Sequence, residues 1–169
     1  MINRRSACAL TVAAGIAAAG CGSSATSSTT SQVSFKNGFT TSQRDFRRLG
    51  TEIAKDITGA GNKSDAAIAA EFGTLARRAD QQAAQLAALR IPSPYRKEVA
   101  HMIAGFHAVK ADLSNISTAA THHNASNAQA ATRELLRDAA TIKTADNALS
   151  KSLGLPAPGA SSTSTTSSG

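Results

Sequence analysis

Three stretches of this chain place apolar side chains at steps of three and four residues. Ile68, Phe72, Leu75, Ala79, Gln82, Leu86 and Leu89 keep the spacing without a slip; Val99, Met102, Phe106, Val109, Leu113, Ile116 and Ala120 repeat it. Ala131, Leu135, Ala139, Ile142, Ala145, Leu149 and Leu153 repeat it again. Residues so spaced share one face of an α-helix but fall on both faces of a strand, so these segments can bury their apolar groups only as helices. Of 169 residues, 36 are alanine and none is tryptophan. Small helix formers thus supply most of the apolar character, which excludes an all-β fold.

Turn chemistry marks the limits of each stripe. A shorter stripe, Phe46, Leu49, Ile53 and Ile57, predicts a first helix of about 17 residues with Ser42 as its cap and Asp45 in its first turn. Thr58-Gly59-Ala60-Gly61-Asn62 breaks it, and the second helix begins near Ser64. Ile91-Pro92-Ser93-Pro94 ends the second and starts the third, because a residue before proline avoids the α region while Pro94 suits a helix start. His122-His123-Asn124 reads as a turn, Ser126-Asn127-Ala128-Gln129 as a capping box, and Gly154-Leu155-Pro156 as a stop. Helices joined by short turns alternate in direction. The expected fold is all-α, an antiparallel up-down-up-down four-helix bundle over residues 42–155 with a shorter first helix. On that reading the first helix reaches only the half of the bundle around Ile68 to Ala79, and the other half is closed by Phe35 and Phe39 on the incoming segment or stays partly open.

The ends have a different character. Arg4 and Arg5 precede Ala7 to Ala19, an apolar run of 13 residues, shorter than the roughly 20 that span a bilayer core. It has the form of a signal-peptide core. The run closes in Ala18-Ala19-Gly20-Cys21, which resembles the lipobox of bacterial lipoproteins. The resemblance implies a signal peptide at 1–20, cleavage after Gly20 and a lipid, palmitate included, on Cys21. Residues 21–41, rich in Ser and Thr, are expected to form a flexible tether, and 156–169 a disordered Ser/Thr-rich tail. With this lipobox, tether and alanine-rich body, the chain resembles the small lipoproteins of high-GC Gram-positive bacteria, a likeness that implies no activity.

Charge supports the same placement. The chain carries 18 Lys+Arg and 11 Asp+Glu, a formal +7. Removing Arg4 and Arg5 leaves 16 − 11 = +5. The expected location is the cell membrane, lipid-anchored on its extracytoplasmic face, so the basic balance does not mean nucleic acid. The expected partners are the membrane, through Cys21, and an envelope protein, anionic lipid or wall polymer. The basic pairs Arg47-Arg48, Arg77-Arg78 and Arg96-Lys97 fall on three different helices among acidic residues, as on a solvated face.

No reacting constellation is present in the sequence. Glu98-Val99-Ala100-His101 is the one Glu-x-x-His unit, whereas di-metal bundles use two with further glutamates; Glu52, Glu71 and Glu134 have no histidine at that spacing. Glu98 and His101 therefore read as a flanking surface pair, and His107, His122 and His123 lie too far apart along the helices to join them. There is no nucleophile elbow, no Walker glycine loop and no paired carboxylates facing one cleft. No catalytic residue, metal or cofactor is expected, and the chain reads as a non-enzymatic binding or structural module. Gly73 and Gly105, each costing about 1 kcal/mol inside a helix, call for a close helix contact or a groove. Gln82 on an apolar seam is a second anomaly. Together they suggest the alternative of a ligand- or metal-carrying bundle with a groove at Gln82, Ala83, Met102 and Ala145, in the half the first helix does not reach.

Overall fold

A computed structural model describes residues 24–156, all of it helix and turn. The expected leader at 1–20, the expected lipidation site Cys21 and the expected tail from 157 onward lie outside the described residues. Four helices follow one another: α1, Ser24–Gly59; α2, Asp65–Ala87; α3, Arg96–Thr121; and α4, Ala125–Ser152. Short 3-10 turns at Ala60–Asn62 and Ser93–Tyr95 make the first two connections.

The caps show how local sequence sets these limits. Ser64 accepts a hydrogen bond from the Ala67 amide and starts α2, a contact worth about 1 kcal/mol. Pro94 sits at the start of the 3-10 turn that leads into α3. The cap of α4 is Asn124, whose side chain accepts from the Asn127 amide, so the box expected at Ser126 begins two residues early. Gly154, at φ +62°, closes α4. There Leu155 N–H donates to the Ser150 carbonyl and Gly154 N–H to that of Lys151, the paired bonds of a Schellman motif.

The first helix departs most from expectation. It spans 36 residues and is the longest, not the shortest, because residues 24–41 continue the helix instead of forming a tether. Ser42 is consequently a buried mid-helix residue, not a cap. Phe35 and Phe39, one turn apart, are 2% and 0% exposed. Phe35 stacks on Tyr95, whose hydroxyl accepts from Gln32. Burying two phenylalanines contributes on the order of 3–6 kcal/mol, enough to override a Ser/Thr-rich composition.

Consecutive helices run antiparallel. Lys63, just before α2, and Arg78 in its middle bond Asp56 and Glu52 of α1 in reverse order, while Gly38 meets Leu89 beyond the end of α2. Lys63 also pairs with Glu71, and the two carboxylates raise its pKa. Small residues bring the other helices together. Ser117 of α3 donates to the Ala69 carbonyl of α2, with its Oγ 3.3 Å from where a Cβ at Gly73 would stand. Gly105 of α3 lies under Ile142 of α4, whose Cγ1 would be 2.5 Å from an added Cβ.

Those environments separate the glycines by sign. Gly105→Ala should lower stability by about 1–3 kcal/mol, because the atom it meets is Cγ1 of the buried, β-branched Ile142, held close to the α4 backbone, so the helices or the rotamer must give way. Gly50→Ala, where a Cβ meets nothing within 4 Å, should raise it by about 0.5–1 kcal/mol through helix propensity. Urea denaturation of both variants measures the contrast, and equal effects would refute the close α3–α4 contact.

Candidate functional site

The helices do not close around the core evenly. α2, α3 and α4 pack closely in sequence and α1 packs on α2, but α1 and α4 make almost no close backbone approach. A buried polar latch joins them at one level. Gln43 Nε2 on α1 donates to Asp146 Oδ1 and Ser150 Oγ on α4, both at 2.8 Å. All three residues are buried, and desolvation raises the pKa of Asp146 despite that bond. Next to the latch, Phe46 meets Phe106 edge to face, with ring centroids 5.2 Å apart.

Beyond Phe46 the α1–α4 seam opens. A groove of about 150 Å³ runs between Phe46, Ile53 and Ile57 of α1 and Leu135, Leu136 and Ile142 of α4, over a floor that includes Phe106 and Val109. Leu136, at its edge, is 59% exposed. At Ile57 the groove meets a cleft of about 640 Å³ at the end of the bundle, between the α1–α2 and α3–α4 turns. Ile68, Phe72, Ile116, Ala119 and Ala128 give it apolar walls; Asp65, His123, Gln129, Thr132 and Arg133 supply a polar rim. That size, with an apolar lining and few polar groups, is usual for a small-molecule site.

The rim is held by an uncommon backbone. His123 has φ +53°, a left-handed conformation rare outside glycine, in the C′ position of a Schellman motif closed by Asn124 N–H to the Ala119 carbonyl. Its Nδ1 contacts Asp65 Oδ2, tying the end of α3 to the start of α2 across the cleft mouth. Arg133 is exposed and has no ion-pair partner among the described residues.

The residues singled out from sequence are dispersed differently. Gln82, Ala83, Met102 and Ala145 lie in the half that α1 covers. Ala83 and Met102 are 1% exposed core residues, Ala145 is half-buried against the core, and Gln82 is buried with its Nε2 on Gln85 Oε1 and its own Oε1 unpartnered. The openings lie instead toward the other end, because Phe35 and Phe39, carried on the long α1 itself, close the half that a first helix starting at Ser42 would not reach. Glu98 is half-buried and His101 exposed, one turn apart on α3. Among the described residues no three His, Cys, Asp or Glu side chains gather as a metal site, and no helix is long and apolar enough to cross a membrane. Sequence reading missed the seam, whose only mark in the chain is an apolar stripe on α1 ending in glycine-rich, weakly apolar residues.

A second polar feature lies between α3 and α4. Asp112 is 8% exposed and its Oδ2 has no hydrogen-bond partner. Burial, then the negative charges of Asp138 and Glu134, raise its pKa to about 6, against a smaller opposing effect of Arg137. No protein-family model, curated protein or solved structure matches the chain.

Asp112 makes the fold sensitive to pH in a defined sense. As pH rises above 3.8 the unfolded chain loses this proton first, while the folded chain keeps it until about 6. The folded state then binds more protons, so stability falls with rising pH across that window and stays lower above it. Asp112→Asn should remove a cost of about 1–3 kcal/mol at pH 8 and change little at pH 3.5. Asp146, shifted in the same direction, leaves a residual slope of the same sign. Thermal unfolding from pH 3.5 to 8 tests this, and parallel profiles for variant and parent would refute it.

Proposed function

We propose that this chain is a non-enzymatic binding module of the cell envelope, held at the extracytoplasmic face of the membrane by a lipid on Cys21 and binding through the open α1–α4 side. The observation that carries the binding role is the apolar cleft of about 640 Å³ with its polar rim. Leaving that apolar surface in water forgoes about 25 cal/mol per Å² that closing the seam would gain, and an occupant recovers it.

The layout supports the anchor. Cys21 precedes α1 by three residues, and the cleft sits at the far end of that 36-residue helix, about 54 Å away along its axis. A lipid at one end and an opening at the other would present the binding surface away from the headgroups. The partners consistent with this arrangement are envelope components that reach the membrane-distal end, and the mild positive charge of the mature chain favours anionic ones.

Two measurements test the two parts. Cells fed radiolabelled palmitate should yield labelled protein that survives denaturation, and Cys21→Ser should abolish the label and release the protein from the membrane fraction; label retained on Cys21→Ser refutes the anchor. A photo-crosslinking residue at Leu136 should capture a ligand or partner in native membranes, while the same residue at Ala84, exposed on α2, should not. Equal capture at both positions refutes the seam as the binding surface.

A further inference from the structure

We infer that the open α1–α4 side is an acyl-chain site, taking a single-chain fatty acid with its carboxylate at Arg133 and its tail running through the end cleft into the groove. This rests on the seam being the binding surface and adds the chemical class of what it holds. Length is the first argument. The groove follows α1 from Phe46 to Ile57, eleven residue steps or about 17 Å. A narrow apolar slot of that length takes the end of an extended chain, not a ring system.

Section and polarity agree with length. The groove volume of about 150 Å³ equals that of roughly five waters, room for about the last five methylenes of one chain, with the rest of the tail in the 640 Å³ cleft that the groove joins at Ile57. Its walls are Phe46, Ile53, Ile57, Leu135, Leu136 and Ile142, with no charged side chain along it. The upper end is closed by the Phe46–Phe106 contact and by the Gln43–Asp146–Ser150 latch. A polar headgroup is therefore excluded there and must sit at the open end.

The open end carries the matching charge. Of the rim's ionisable groups, Asp65 is engaged by His123, and Arg133 is left without a counter-ion among the described residues. Its planar guanidinium can meet a carboxylate with two parallel N–H donors. Gln129, one turn before Arg133 on α4, supplies a further donor at the mouth, while the Thr132 hydroxyl is committed to the Ala128 carbonyl. Each methylene moved from water into the groove contributes about 0.8 kcal/mol, so affinity should rise with chain length until the groove is full.

The test is a titration of the full-length chain with palmitate and with hexadecanol, its uncharged counterpart, followed by calorimetry. Palmitate should bind at one site. Gly50→Leu fills the groove at a position where an added Cβ meets nothing, so it should keep the fold, checked by thermal unfolding, and weaken both ligands at least tenfold. Arg133→Gln should weaken palmitate about five- to twentyfold and leave hexadecanol within twofold. No palmitate binding by the parent chain, or unchanged binding by Gly50→Leu, overturns the acyl-chain site. Equal losses of both ligands in Arg133→Gln overturn the placement of the carboxylate. Crosslinking at Leu136 in the absence of palmitate binding would leave the binding surface standing and refute the fatty acid alone.

Discussion

The close approach of α3 and α4 at Gly105 governs how the rest of the bundle can close. With no side chain at Gly105, Ile142 settles onto the α3 backbone, and the two helices pack along most of their length. Ser117 over Gly73 does the same between α2 and α3. Three helices are thereby held as a tight layer by small residues, in keeping with an alanine-rich chain. A fourth helix laid on this layer can pack closely against one neighbour only, and α1 packs on α2.

What α1 does toward α4 is then decided by a few side chains. The Gln43–Asp146–Ser150 hydrogen bonds fix one level of the seam, and Phe35 stacked on Tyr95 secures the segment beyond it. A buried amide bonded to a buried carboxyl is costly to break, because either group alone would be left desolvated without a partner. Below the latch no comparable pair exists, and the larger residues there are spread over two helices that stay apart. The groove and the end cleft are the space left by that separation. Polar groups at the cleft mouth are held by helices, His123 by the close of α3 and Arg133 by the third turn of α4, so they belong to the rigid part of the fold.

Buried acids set a second constraint. Asp112 and Asp146 are both held toward the protonated form by desolvation, one beside further carboxylates and one against Gln43. They occupy positions where the apolar stripe of a helix gives way to its flank, a place where sequence spacing does not distinguish a solvated carboxylate from a buried one.

Much of the fold was legible because helix-forming information is local. The stripes from Ile68 to Leu89, Val99 to Ala120 and Ala131 to Leu153, the cap at Ser64, the prolines before α3 and the Gly154 stop each depend on residues within one or two turns, and these assigned three helices and their order. The close contact foreshadowed by Gly73 and Gly105 was legible for the same reason: an unfavourable residue inside a helix needs a packing cause. The extent of α1 was not. Ser and Thr between residues 24 and 42 favour a spacer by composition, and only the burial of Phe35 and Phe39 against Tyr95 and the core makes a helix there favourable. That one non-local contact moved the opening from Gln82 and Met102 to the α1–α4 seam. The sequence alone determined the class of fold and the turns between its helices, because each is set by neighbours along the chain. Tertiary structure alone decided which face stayed open, because that depends on which helices approach closely and which are held apart.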